Sequence, residues 1–378
     1  MNLLNVRKNL LGLVCLIVTS AILLAGLWPF NFSPENKVRW LKDQNGIQFY
    51  GPAIIFSQLP APYPLHPTPY PLHPTPYPLP PFSLELFLQS TTQDSSHIGH
   101  IVSTVDDKGS ENFFVGQWRS HLILGKGIHG KANYREIGVR DVLKKGDKRF
   151  VTITSGAEGT NIYVDGILLK SSPRFQLFSM NEKPSGRIVL GNSPTGDEYW
   201  TGNLLSLAIY DRVLTGEEVH QHFPQNFDSP KKSEEKGFIS LYLFNERSGT
   251  LATDHVGGHH LLIPSTFEVL QKIILVPPWK DFRLSRSYFL DILTNILGFV
   301  PFGFFFSAYL RLRKPYSTYR TLLISVLMAG CISLSIELIQ VYLPSRNSQL
   351  TDMITNTLGT LIGVILFLNH HKKLTRNL

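Results

Sequence analysis

SIELIQVYLPSRNSQLTDMITNTLGTLIG, Ser335–Gly363, decides how the C-terminal part of this chain is read. Two apolar runs meet across a short turn, and they carry Glu337, Gln340, Asp352 and Asn356 close to it. Hydrocarbon cannot solvate an ionisable side chain, so such groups are rare in spanning segments and usually face a polar interior. The pattern predicts two membrane helices that share a polar outer end.

Four segments approach the roughly 20 apolar residues that a bilayer requires. They are Leu10–Trp28, Phe289–Leu310, Thr321–Leu343 and Met353–Asn369. The apolar run of the first is longer than a cleaved leader needs, and Leu23 and Ala25 make a poor cleavage site, so it reads as a retained signal anchor. Arg7 and Lys8 precede it; Arg311, Arg313, Lys314 and Arg320 fill the loop between the second and third segments; Lys372, Lys373 and Arg376 close the chain. Basic residues in short flanks mark the cytoplasmic side. The expectation is a multi-pass protein of the cell (inner) membrane with both termini cytoplasmic and the long middle region extracytoplasmic. Lys280, Arg283 and Arg286 run against the bias on the outer flank, where long translocated domains are largely exempt.

Composition fits that division. The 378 residues are 43% hydrophobic, but the apolar residues are bunched into blocks, which marks a chain part soluble and part membrane. The formal charge of +8 lies largely at membrane-segment ends, so no nucleic-acid partner is expected. Membrane lipids are the expected partners. Cys15 and Cys331 sit in separate apolar blocks outside any CxxC spacing. No cofactor motif and no metal-ligand spacing is present, and no Ser-His-Asp order or P-loop names a reaction. Catalytic residues are therefore left unassigned.

The middle region has the grammar of an all-β domain. FSLELFLQ, HLILG, RFVTITS, NIYVDGILL, GRIVLGN and LLSLAIYDRVL are short apolar or alternating runs separated by Gly, Pro, Asn and Asp. Asp165-Gly166 is a strong two-residue hairpin signal, because that turn needs positive φ at both positions. The expected fold is mixed: an extracytoplasmic all-β jelly-roll sandwich plus an α-helical transmembrane bundle of four helices. The expected boundaries are 1–28 for the anchor, 29–286 for the β-domain and 287–378 for the remaining three helices, with a Pro-rich loop at 60–81. That loop repeats PYPLHPT and should be extended polyproline II, since proline fixes φ and removes backbone donors. Asp197, Glu198 and Asp254 are candidate calcium ligands, although solvated turn acids explain them better. His255, His259 and His260 lack the partner ligands a zinc site needs.

DILTNILG, Asp291–Gly298, and DMITNTLG, Asp352–Gly359, share Asp, Thr, Asn, Leu and Gly in register. In each, Asp and Asn are four apart and Gly follows Asp by seven, so all three share one helical face. Gly359 and Gly363 extend the second face as GxxxG, and Gly298 is its counterpart in the first; small residues of this kind permit close helix packing. Asp291, Asn295, Glu337, Gln340, Arg346, Asp352 and Asn356 are thus expected at a similar depth. They could form a structural staple, a binding site for a head group, or a carboxylate pair for acid–base chemistry.

Two resemblances follow from these residues. RFVTIT, NIYVDG, GRIVLGN and YWTGNLLSLAIYDRVLTGEEV resemble the laminin-G or concanavalin-like jelly roll, in which the last inner strand precedes a short acidic helix, here Thr215–His222. Ser240–Pro264 looks like the opening strands of the same family, moved to the end. LWPFNFSPEN, DILTNILGFVPFG, SIELIQ and SRNSQLTDMITNTLG resemble the VanZ-like membrane proteins, a family named for a member linked to low-level teicoplanin resistance. Acids and amides beside one arginine at the outer leaflet would suit an envelope glycan, an amine or a lipid-linked precursor, or an enzyme that modifies an envelope lipid or polymer; the resemblance adds an expected tie to glycopeptide resistance. It implies no settled activity.

Overall fold

The computed structural model describes residues 3–57, 61–62, 81–93, 97–106, 111–127, 134–178, 185–223, 237–282, 284–344 and 346–376. The chain divides into two compact units, Pro34–Gln271 and the pair of segments Met1–Ser33 and Lys272–Leu378.

The first unit is built from strands β1 (Val38–Trp40), β2 (Ile47–Phe49), β3 (Ile55–Ser57), β4 (Ala61–Pro62), β5 (Phe82–Ser90), β6 (Gly99–Val105), β7 (Glu111–Trp118), β8 (His121–Gly127) and β9 (Tyr134–Val139). It continues with β10 (Lys148–Gly156), β11 (Gly159–Val164), β12 (Ile167–Ser172), β13 (Ser185–Leu190), β14 (Gly202–Tyr210), β15 (Phe238–Tyr242), β16 (Leu251–Ala252) and β17 (Leu261–Leu262). One antiparallel sheet runs β1-β2-β14-β5-β10-β11-β12 with β15 also on β14; the other runs β16-β17-β3-β13-β6-β7-β8-β9 with β4 on β13. Their inner faces meet in one core that includes Phe49, Phe82, Leu84, Leu86, Phe113, Val115, Ile153, Leu207 and Tyr242.

Alternation along β5 explains the layering. Phe82, Leu84, Leu86 and Leu88 face that core, while Glu85 points the other way into a second layer with Phe150, Tyr210 and Val219. Glu85 is fully buried there, and it accepts hydrogen bonds from Tyr210 Oη at 2.7 Å and lies 2.9 Å from His222 Nδ1. His222 belongs to helix α2, Gly216–His222, which covers this face. Thr215 caps α2 in a reciprocal capping box with Glu218, so the sequence-expected helix is present one residue shorter. Asp165 and Gly166 take φ of +52° and +79° and connect β11 to β12, as their hairpin signal requires.

Ser240–Pro264 completes the sandwich. β15 pairs with β14 in one sheet, and β17 pairs with β3 in the other. β17, near the end of the β-domain, thus neighbours β3 near its start. β1, β2, β3, β4, β6, β7 and β9 are not expected from the sequence; in β6 and β7 the polar His100, Ser103, Glu111 and Gln117 break the apolar alternation yet are paired inside. The Pro-rich repeat lies for the most part outside the described residues.

The second unit holds α1 (Leu3–Leu27), α3 (Pro278–Asp281), α4 (Arg286–Arg313), α5 (Thr318–Gln340) and α6 (Leu350–Arg376). Among the described residues, four helices are long and apolar enough to cross a membrane. At 1.5 Å per residue, the 23 residues of α5 span about 35 Å, enough for the hydrocarbon core. Ser285 and Ser317 cap α4 and α5 through the N–H groups of Tyr288 and Arg320. α5 stops at Gln340 rather than Leu343, because Val341–Leu343 turn back ahead of Pro344.

α4 and α6 approach closely through glycine. A Cβ on Gly359 would overlap the Ile296 carbonyl, one on Gly363 the Val300 carbonyl, and one on Gly303 the Thr360 carbonyl. Gly298 does not take part: nothing lies within 4 Å of the position its Cβ would occupy. The contact stripe of α4 runs through Ile296, Val300 and Gly303, and Gly298 lies about 200° round the helix from Ile296. Gly303, which the octet comparison did not single out, plays the part expected of Gly298.

Candidate functional site

The polar groups of the helical unit gather where α5 ends and α6 begins. Glu337 is 1% exposed, and Gln340 and Asn356 are each 5% exposed. On α5 the buried residues Thr321, Ser325, Ala329, Ser333 and Glu337 recur every fourth position, so the carboxylate tops a stripe of small, mostly hydroxylic side chains. The turn from Val341 to Gln349 then folds α6 back against that stripe.

Glu337, Gln340 and Asn356 each have an identifiable partner. Gln349 donates its backbone N–H to Glu337 Oε2 at 2.7 Å, and Ser348 adds a hydroxyl donor. A carboxylate is thus held at the N-terminus of α6, where the helix dipole favours negative charge. Gln340 Nε2 donates to Gly26 O at 2.8 Å, and Arg346 Nε and Nη2 donate to Trp28 O at 3.1 and 3.0 Å. Both serve the C-terminal end of α1, where orphan carbonyls and the dipole favour donors and positive charge. Asn356 Nδ2 donates to Ser333 Oγ at 2.9 Å, which ties α6 to α5 one turn below Glu337.

Three acceptors are left over. Gln340 Oε1, Asn356 Oδ1 and Thr351 Oγ1 are buried without a hydrogen-bond partner among the described residues. Arg346 is exposed and Asp352 half-buried, so they form a rim above the buried groups, with Asp352 and Arg346 both within electrostatic reach of Glu337.

The two octets do not behave alike. On α6 Asp352 is half-buried, and Asn356 and Gly359 are buried. On α4 Asp291 is exposed, Asn295 is half-buried, and neither makes a hydrogen bond or ion pair among the described residues. Asp291 lies about 140° round α4 from Ile296, which faces α6. Close packing through Gly303, Gly359 and Gly363 sets that rotation. Glu337, Gln340, Arg346, Asp352 and Asn356 therefore gather, and Asp291 stands apart on the exposed face. Ser333, Ser348 and the carbonyls of Gly26 and Trp28 were not read from the sequence; Ser333 was accessible, because it precedes Glu337 by four.

In the β-domain, Asp254 accepts from the N–H groups of Leu241, Val256 and His259 at 2.9–3.0 Å. It organises the glycine-rich loop that contains His255, His259 and His260. Asp197 accepts from the hydroxyls of Ser193 and Thr195, and the Glu198 N–H is bonded to Asn192 Oδ1. Among the described residues, no three His, Cys, Asp or Glu side chains come together as metal ligands. With Glu35, Glu218 is one of the perturbed acids on this unit. Burial pushes its carboxyl up, but hydrogen bonds from Thr215 N–H, Arg212 and the Thr215 hydroxyl outweigh it and hold it below the ordinary range.

Comparison with known families matches VanZ/LLP1 over residues 237–371 and the concanavalin A-like lectin/glucanase superfamily over residues 72–220. The chain therefore carries a VanZ-like domain and a laminin-G/concanavalin-like domain together. The VanZ/LLP1 match includes β15, β16 and β17 as well as the three C-terminal helices. No curated protein matches the chain. Solved structures with similar folds include a putative carbohydrate binding protein from Bacteroides ovatus, 13% identical over 60% of this chain and 59% of that one, with a TM-score of 0.42. The chain thus spans less than two thirds of that protein. A sialidase CBM40 from Ruminococcus gnavus is 13% identical over 38% of this chain and 83% of that one, TM-score 0.32. A pentraxin from Limulus polyphemus is 14% identical over 50% and 82%, TM-score 0.32. Such loose likeness carries nothing about ligands. Helices and families together describe a multi-pass membrane protein with an extracytoplasmic β-domain.

Proposed function

We propose that this chain, a VanZ-like membrane domain joined to a concanavalin-like β-sandwich, works at the cell envelope by recognition. The β-domain reads the outer surface, and the polar cluster at the outer end of the helices receives the head group of an envelope lipid or a lipid-linked glycan precursor. One observation carries this reading: Gln340 Oε1 and Asn356 Oδ1 flank Glu337 along α5 and α6, buried and without partners among the described residues. A buried acceptor left unpaired costs about 1–3 kcal/mol, and a ligand rich in N–H or O–H donors removes that cost. Arg346 at the rim offers a planar guanidinium suited to phosphate, and Asp352 a carboxylate suited to an amine or hydroxyl. Extraction of the full chain in mild detergent, with mass spectrometry of its bound lipids, tests the reading. Enrichment of one donor-bearing head group over the bulk membrane supports it, and a lipid profile equal to the bulk contradicts it.

Both termini are cytoplasmic in this proposal, which rests on the basic flanks at Arg7, Lys8, Arg311, Arg313 and Lys314. A reporter fused after Phe223 that is active only in the cytoplasm overturns it. A second reading is favoured by the helix-end contacts of Gln340, Arg346 and Glu337: the cluster is a staple joining α1, α5 and α6 with no ligand. In that case Asp352→Asn and Arg346→Gln lower stability and leave lipid binding unchanged.

A further inference from the structure

At one open side of the sandwich the terminal strands of the two sheets, β9 and β12, border a groove of about 410 Å³. That volume falls within the roughly 300–1,000 Å³ of typical ligand pockets. Arg135 and Ile137 line it from β9, Ser171 and Ser172 from β12, and Arg174 and Phe175 from the turn that follows. Ile137 and Val139 pack on the inner core, so Arg135, two residues earlier, shares their inward parity; Glu136, of the opposite parity, also borders the groove, so one carboxylate stands beside the two arginines.

The turn that carries Arg174 is fixed from beneath. Phe175 N–H donates to Ser172 O at 3.1 Å, Thr160 Oγ1 donates to Phe175 O at 2.8 Å, and Leu177 N–H donates to Ser155 Oγ at 3.0 Å. Ser155 and Thr160 are buried and lie 2.9 Å apart through their hydroxyls. Gly159, at φ +100°, lets the turn close on the β10–β11 hairpin, because any Cβ there would strike Ser172 O and Pro173. A guanidinium mounted on so constrained a turn loses less freedom on binding.

Neither Arg135 nor Arg174 has a hydrogen bond or ion pair among the described residues. Arg135 is moreover in register with Lys126 on β8, and like charges directly opposite on a sheet destabilise it. Inward charge on an edge strand can serve to discourage strand addition. That explains Arg135 alone and leaves the constrained turn beneath Arg174 without a purpose.

We propose that the groove between β9 and β12 binds a hydroxyl-rich ligand bearing carboxylate or phosphate, such as a segment of an acidic glycan or of a polyol-phosphate polymer. Arg135 and Arg174 hold the anion by paired N–H donors, and Ser171 and Ser172 meet its hydroxyls. The proposal rests on the reading of the β-domain as a recognition module and adds the charge class of what it recognises.

The test uses the full chain in nanodiscs of zwitterionic lipid, titrated with fluorescent oligogalacturonate, poly(glycerol phosphate) and a neutral oligoglucan. Saturable binding of one anionic polymer is expected, weakened by salt. Galacturonate alone identifies a carboxylate source, and glycerol phosphate alone a phosphate source. Arg135→Gln and Arg174→Gln should each loosen binding by about tenfold or more without lowering the melting temperature. Arg119→Gln, on the turn at the other end of β8, should leave it unchanged. Should a glutamine variant fold poorly, Arg174→Lys keeps the charge, loses the planar fork and should still loosen binding. Equal affinity in both arginine variants, or no binding of either anionic polymer, overturns the proposal. Arginine-independent binding of the glucan alone overturns the anionic site and keeps the recognition reading, whereas silence from all three polymers removes both.

Discussion

Glu337 Oε2 accepts the backbone N–H of Gln349 at 2.7 Å, so the carboxylate on the last turn of α5 closes the start of α6. Three residues on, Gln340 donates to the end of α1. One face of α5 thereby joins three helices.

Removing that carboxylate should be felt as stability. Glu337→Ala leaves the N–H of Gln349 and the Ser348 hydroxyl without an acceptor in a buried site, an expected loss of about 3 kcal/mol. Glu337→Gln keeps one acceptor oxygen and should lose less. Thermal melting of the full chain in detergent gives the order, and equal melting of all three proteins would refute the capping role.

The α4–α6 contact makes a sharper steric prediction. Gly359→Val and Gly303→Val each drive a side chain into a neighbouring backbone carbonyl, and should cost at least about 2 kcal/mol. Gly298→Ala enters open space and should change stability by no more than about 0.5 kcal/mol. Melting of the three variants side by side checks both halves.

Acid should expose the capping box of α2. The Glu218 carboxyl titrates below its ordinary value of 4.5, since its hydrogen bonds to Thr215 and Arg212 outweigh burial. A depressed folded value means the contribution is complete above the unfolded value and is lost as pH falls through the folded one. The melting difference between the protein and Glu218→Gln should therefore be constant near neutrality and shrink below about pH 4.5. A difference that grows in acid would contradict the assignment.

The late strands predict a truncation effect. A fragment spanning Pro34–Gln271 should melt cooperatively with a β-type circular dichroism spectrum. A fragment ending before Phe238 loses one partner of β14 in one sheet and one partner of β3 in the other, together with buried Tyr242, Phe244 and Leu261, and should melt lower or not fold. Equal melting would show that these strands are dispensable.

Much of this architecture could be read from residue types alone. Bilayer-length apolar blocks give the helices, and alternation punctuated by Gly and Asp gives most of the longer strands, because both depend on local periodicity. β6 and β7 escaped because His100, Ser103 and Gln117 are polar yet buried, satisfied by distant partners such as Trp200. At the cluster, spacing identified which residues share a helical face. It could not set the rotation of α4, which follows from glycine contacts and turns Asp291 outward. Nor could it find that Gln340 and Arg346 serve α1, more than 300 residues earlier in the chain.

In the proposed function the rim formed by Arg346 and Asp352, above buried Glu337, binds a head group rather than merely stapling helices. Asp352→Asn and Arg346→Gln in the full chain, each assayed for co-purifying lipid and for melting temperature, separate the two directly. The enriched head-group lipid should fall to the bulk level in at least one variant while its melting temperature stays near that of the unmodified protein. Lowered melting temperatures with an unaltered lipid profile in both variants would contradict the proposed function.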